Sequence, residues 1–179
     1  VVVGAALGST GAQMQTILNN PLASPYTLGV ASAAGFGAAL ALVLGVTLVP
    51  IGAEFLTAGN AFIFALGSSL AVYAVAGTKK GTTEIIILAG IALLFLFYSL
   101  TALLEYLATE EQLQAVVFWL FGSLTKTTWM RLLITTAVFS VIFPLVLSQS
   151  WKLTALRLGE TEAESLGINV KKLRLTTLI

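Results

Sequence analysis

Leu158-Gly-Glu-Thr-Glu-Ala-Glu-Ser-Leu-Gly167 is a charged, helix-forming stretch in a chain that otherwise reads as membrane, and it separates what lies in lipid from what does not. Ala163, Leu166 and Val170 recur three and four apart, which places them on one face of a short amphipathic helix, while Glu160 and Glu164 share another. Gly159 interrupts any continuation from the preceding helix, and Gly167 suits the left-handed residue that closes the next one. Such a segment is either a solvated loop helix or an element on which a soluble partner docks. Its own residues do not separate the two.

Outside that stretch the composition is decisive. Of 179 residues, 58% are hydrophobic and 9% are charged, against roughly a quarter charged in soluble domains. The chain therefore reads as an all-α, polytopic integral membrane protein. It has no Cys, His or Asp, which removes disulfides, thiol chemistry, His metal sites and Asp-based catalysis, so no catalytic residue, metal or cofactor is expected. A net charge of +1 gives no argument for nucleic acid. The first residues, Val1-Val-Val-Gly-Ala-Ala-Leu7, carry no charged leader and start inside an apolar helix, and Leu173-Arg-Leu-Thr-Thr-Leu-Ile179 reads as the first turn of a further one. The chain is thus expected to be a piece of a longer protein.

Five spans are expected, at about 1–18, 26–48, 55–76, 84–106 and 129–148. The first carries Gly4, Gly8 and Gly11/Ala12, and the second Ala31, Gly35 and Ala39, at the spacing that lets helix backbones approach closely in lipid. Gln13 and Gln15 near the end of the first imply an interface or a pathway. Between these spans Asn19-Asn-Pro-Leu-Ala-Ser-Pro25 is a tight turn. Pro50, Gly52 and Glu54 mark the next turn, and Lys79 and Lys80 sit in a basic hinge running from Gly77 to Thr83. Asn60, Ser68 and Ser69 interrupt the third span, where hydrogen bonds in packing are the expected use. Residues 109–121 are too short to span: Thr109 and Gln112 form a capping box, Glu110 and Glu111 follow it, and Leu113, Val116, Val117 and Leu120 make an apolar stripe. This is an interfacial or re-entrant helix. Pro144 is expected to bend the fifth span.

Lys and Arg set the orientation. With Lys79 and Lys80 cytoplasmic, alternate loops put Lys152, Arg157, Lys171, Lys172 and Arg174 on the same side and only Lys126 and Arg131 opposite. That asymmetry is a positive-inside signal, with 158–167 cytoplasmic and 109–121 on the extracytoplasmic side.

Four stretches then resemble one family together: Gly4-Ala-Ala-Leu-Gly-Ser-Thr-Gly-Ala-Gln-Met-Gln15, Asn20-Pro-Leu-Ala-Ser-Pro-Tyr-Thr-Leu-Gly-Val30, Leu113-Gln-Ala-Val-Val-Phe-Trp-Leu-Phe-Gly-Ser-Leu124 and Leu158–Gly167, with Leu88-Ala-Gly90 in support. The chain resembles the FecCD-type permeases, the membrane subunits of ATP-driven importers for iron-siderophores, haem and cobalamin. It resembles their second to sixth transmembrane helices and the start of the seventh, at 172–179. The resemblance implies a type II importer permease fold, a multi-pass place in the bacterial cytoplasmic (inner) membrane, and alternating access coupled to ATP hydrolysis on a separate ATP-binding-cassette subunit. Its other implied partners are a second permease copy, an extracytoplasmic substrate-binding protein and membrane lipid. It puts Leu158, Gly159, Glu160, Ala163, Leu166 and Gly167 in the coupling role toward the ATPase. It puts Asn20, Leu22 and Thr83 at a cytoplasmic gate, and makes Ser99, Thr101 and the 110–121 helix pathway-lining candidates. Lys126 and Arg131 lie near the face where the family docks its binding protein, although ordinary interfacial snorkelling accounts for both.

Two other classes compete. A secondary transporter would use the turn at Asn19 to Pro25 as a broken-helix site, but its acidic candidates Glu54, Glu84 and Glu105 fall at helix ends. An intramembrane enzyme would be left with Ser or Thr beside Lys or Glu, and no such pair is evident.

Overall fold

A computed structural model describes residues 1–48, 55–78, 82–125 and 127–178. The turn expected at Pro50, Gly52 and Glu54, the Lys79/Lys80 pair and Lys126 lie outside these residues. Among the described residues the secondary structure is helical throughout: α1 (Val2–Ile17), α2 (Val30–Leu44), α3 (Leu56–Gly77), α4 (Thr83–Leu107), α5 (Glu110–Phe121), α6 (Trp129–Ser148), α7 (Ser150–Leu156), α8 (Glu160–Ser165) and α9 (Val170–Thr177). Helix is what an apolar chain adopts when only its own backbone can satisfy its N–H and C=O groups. α3, α4 and α6, at 22, 25 and 20 residues, are long and apolar enough to cross a bilayer.

α2 is the centre of one half of the bundle. Small residues let its neighbours close on it: Ser32, Ala33, Gly35, Gly37, Ala38 and Ala39 are buried, and α3, α4 and α5 pack around them. At Gly37 a Cβ would stand 2.6 Å from the Asn60 carbonyl oxygen and 2.8 Å from Phe64 Cδ2, so α3 can lie this close only because no side chain intervenes. Phe36, Phe64 and Phe97 then fill the space between α2, α3 and α4, with Phe36 and Phe64 edge to face at 5.0 Å.

The expected span 26–48 forms a helix of only 15 residues. That is about 22 Å of helix, short of the roughly 30 Å hydrocarbon core. Both ends are set by glycines in the left-handed region, Gly29 (φ 76°) and Gly45 (φ 65°), and both flanking segments are held by protein. Asn60 is fully buried, and its carboxamide donates to Val46 O (2.6 Å) and accepts from Leu48 N (2.9 Å). These two bonds tie down backbone that is otherwise exposed between Gly45 and Leu48. Asn60 is thus used in packing, as expected, whereas the buried Ser68 hydroxyl finds no partner among the described residues.

α5 closes this half. Thr109 and Gln112 form the expected capping box, and Gln112 also donates from Nε2 to Val43 O (3.0 Å) at the end of α2. Val116 enters an apolar cluster with Ala39, Val43 and Leu104. α6 packs on α1 and α7, contributes no buried residue, and stays helical through Pro144. The small residues expected to pack in α1 behave differently from those of α2: a Cβ at Gly4, Gly8 or Gly11 would meet nothing within 4 Å.

Gly37→Ala in the full-length protein should lower thermal stability, since the added methyl overpacks the α2–α3 contact at a cost of about 1–3 kcal/mol. Gly67→Ala, where a Cβ meets nothing within 4 Å, should be neutral or slightly stabilising. A thermal melt in detergent distinguishes the two, and equal effects would mean that the α2–α3 approach is not as close as described.

Candidate functional site

The charged stretch of the sequence lies where α7, α8 and α9 gather beneath the ends of α1 and α3 and the start of α4. Local chemistry shapes this elbow. Gly159 sits at φ 133°, ψ 157°, a conformation essentially confined to glycine, and a Cβ there would collide with the Glu162 carboxylate. α8 ends in a Schellman motif: Gly167 is left-handed (φ 79°), its N–H donates to Glu164 O (2.9 Å), and Ile168 N–H donates to Ala163 O (3.0 Å). Two residues later the Asn169 side chain accepts from Lys172 N (2.8 Å) and starts α9.

The structure splits the expected residues into an inner and an outer set. Ala163 is 0% exposed, and with Ile168, Val170 and Leu173 it joins an apolar cluster containing Met14, Ile17 and Leu18 of the α1 end, Val72 and Ala76 of α3 and Ile86 of α4. Leu158 and Leu166 point outward, at 70% and 53% exposed. The one-face pattern of Ala163, Leu166 and Val170 is therefore corrected. The helix stops at Ser165, the left-handed Gly167 turns the chain as expected, and Leu166 leaves the face that Ala163 and Val170 share. Ala163 acts from inside, by packing. Glu160 lies between the two sets: its carboxylate accepts from the buried Arg174 at 2.7 Å and keeps 60% of its own surface.

The turn after α1 is as closely specified. α1 ends in a second Schellman motif, with Asn19 left-handed (φ 44°), its N–H donating to Thr16 O (3.2 Å) and Asn20 N–H donating to Gln15 O (3.0 Å). Asn20 then accepts from Leu22 N through Oδ1 (2.9 Å), the Asx turn that asparagine favours. Leu22 projects from it, 81% exposed. The rest of the turn folds onto α4, where Gly29 and Gly90 permit the contact. A Cβ on Gly29 would meet Leu94 N at 2.9 Å, and one on Gly90 would meet Leu28 Cα at 2.8 Å. Tyr26 and Tyr98 join their hydroxyls across the same seam.

Thr83 opens α4 and lines a cleft of about 420 Å³ with Thr78, Glu160, Glu164, Lys171 and Arg174. It is thereby brought beside the elbow. Asn20 lines a different cleft, with Gln15, Asn19, Pro21 and Arg157. Of the two lining candidates, Ser99 is exposed, whereas Thr101 is buried and spends its hydroxyl on Phe97 O (2.8 Å) within its own helix. At the opposite end of the bundle Arg131 shares a cleft with Leu42, Thr57 and Trp119. Sequence reasoning missed α7 as a separate helix and missed Arg174, which it counted only as one positive charge. An Arg four residues into an amphipathic turn, between Leu173 and Leu175, was the available signal.

The sequence profile of the FecCD transport family matches residues 1–179. The molybdate import system permease of Haemophilus influenzae is 35% identical over 174 residues, covering 96% of this chain and 50% of the relative. The hemin transport system permease of Yersinia pestis is 34% identical over 179 residues, covering 100% of this chain and 54% of the relative. The vitamin B12 import system permease of Vibrio vulnificus is 34% identical over 177 residues, covering 97% and 51%. A solved structure of a metal-chelate type ABC transporter in an inward-facing conformation superposes with a TM-score of 0.86 at 34% identity, covering 99% of this chain and 55% of that one. The chain spans about half the length of the curated relatives it matches.

Gly159→Ala should disorder the elbow, because the residue must leave a glycine-only conformation. Gly167→Asn should cost only a few tenths of a kcal/mol to about 1 kcal/mol, asparagine being the next best left-handed cap. Limited proteolysis of the full-length protein reads both: faster cleavage between α7 and α9 is expected for Gly159→Ala and not for Gly167→Asn.

Proposed function

This chain belongs to the FecCD transport family, and from that premise we propose that it is the central part of a permease subunit of an ATP-binding-cassette importer. It is an integral membrane protein, built on the all-helical permease architecture. In the proposed assembly two permease copies enclose a pathway across the bacterial cytoplasmic membrane. An ATP-binding subunit docks below, and an extracytoplasmic binding protein delivers cargo above. The cargo is an iron-siderophore complex, haem or cobalamin. The relatives named for hemin, vitamin B12 and iron chelatin support that range, and the one named for molybdate widens it.

The observation that carries the coupling role is the division of the elbow. Its inner face is locked into the ends of α1, α3 and α4, while Leu158 and Leu166 stand exposed beside Glu160, Glu162 and Glu164. A rigid element anchored on one side and open on the other can pass a partner's motion to the spans it joins. The turn at Asn20 and Leu22 and the start of α4 at Thr83 lie at this same end, as gates at the cytoplasmic mouth would. The competing reading as a secondary transporter requires an acidic group at membrane depth, and Glu84 and Glu105 occupy the first and last turns of α4.

The test is co-purification of the full-length protein in lipid nanodiscs with the ATP-binding subunit encoded beside it. Leu158→Arg with Leu166→Arg should reduce the retained subunit, and the ATPase activity that travels with it, about tenfold or more, since lost apolar anchors typically cost about 2 kcal/mol. Thr47→Arg, exposed at the opposite end, should leave both unchanged. Undiminished binding by the double variant would refute docking through this segment.

A further inference from the structure

Arg174 is the one charged residue among the described residues that is buried, at 8% exposed, and it joins three elements. From α9 its Nε donates to the carbonyl of Ile17 (3.2 Å) and its terminal nitrogen donates to Glu160 Oε1 of α8 (2.7 Å). Ile17 is the last residue of α1, and its carbonyl belongs to the final turn, whose oxygens lack intrahelical partners. Ile17 is 1% exposed, so water does not supply the missing donor. A cation at the negative end of a helix is also favoured by the dipole. Asn19 and Asn20, the residues that form the left-handed cap and the Asx turn, follow within three positions.

We propose that Arg174 is the positioning residue that couples the elbow to the gate turn: it holds the α8 carboxylate and the α1 terminal carbonyl in one rigid fork, so that displacement of α8 moves the turn at Asn19 to Pro25. This rests on the reading of α8 as the docking element. The guanidinium matters for its geometry as well as its charge. The two nitrogens that donate here lie in one plane at fixed separation, whereas a lysine places a single nitrogen on a flexible stem and cannot bind both acceptors in a defined arrangement. Glu160 suits the outer end of the fork because it is paired with Arg174 and still open to a partner. Lys171 reinforces the same junction less tightly, reaching Thr78 O at the end of α3 (3.4 Å).

The experiment uses the full-length permease with its ATP-binding subunit in nanodiscs, freed of any other cysteine and carrying Leu22→Cys as a probe in the gate turn. The rate of labelling by a maleimide is compared without nucleotide and with ATP and vanadate. With Arg174 intact the two rates should differ about fivefold or more, the size of an ordinary coupling between sites. With Arg174→Lys the subunit should still co-purify, but the two rates should converge. Glu160→Gln, which spares the bond to Ile17, should also shrink the difference, and it decides the matter if Arg174→Lys fails to assemble. A nucleotide response that persists at full size in either assembled variant overturns the inference, because a merely structural arginine would change stability and leave that ratio alone. Failure of the ATP-binding subunit to associate even when Arg174 and Glu160 are intact refutes the docking reading, and the inference with it.

Discussion

Helix ends leave carbonyls and N–H groups in need of partners, and the way these are closed organises the end of the molecule where α1, α7, α8 and α9 meet. α1 and α8 both end in Schellman motifs, one on Asn19 and one on Gly167. Arg174 supplies a donor to the Ile17 carbonyl, and Asn169 supplies an acceptor at the start of α9. The ends of α1 and α8 and the start of α9 are thus each closed by a particular residue in a particular conformation. The apolar cluster beneath this junction, from Met14 to Leu178, packs around that backbone.

The other half of the bundle obeys a related rule by different means. There the backbones are brought together by the absence of side chains at Gly29, Gly37 and Gly90, and packing rather than hydrophobic transfer holds helices in lipid. Gly90 explains why Leu88-Ala-Gly90 accompanied the other motifs: it is the site on α4 that receives Leu28. The two halves share α3 and α4, whose far ends meet α2 and α5 and whose near ends meet the elbow. The elbow is therefore packed on the ends of two long helices and also hydrogen-bonded to α1 through Arg174.

Much of the fold was legible because helix periodicity and apolar length are local signals. The capping box at Thr109 and Gln112, the helices at α3, α4 and α6, and the enclosed Asn60 follow from a few residues each. What was not legible depends on long-range placement. The span expected at 26–48 was read from continuous apolarity, which cannot show that Thr27, Leu28 and Gly29 turn against Gly90 before α2 begins. Leu166 was assigned to the face of Ala163 and Val170 because the spacing is helical, although the left-handed Gly167 that rotates it away was itself foreseen. Arg174 was counted for its sign alone. Its burial and its two acceptors come from α1 and α8, distant in sequence and adjacent in space.

In the proposed reading the outward face of the elbow is what meets the ATPase, and the most direct measurement places a photo-crosslinking amino acid at Leu166 in the full-length protein in its native membrane. Irradiation should yield one adduct, of this chain with an ATP-binding-cassette subunit, and the same probe at Thr47 on the opposite end should not. An adduct with that subunit at Thr47 and none at Leu166 would contradict the assignment of this face to the ATPase.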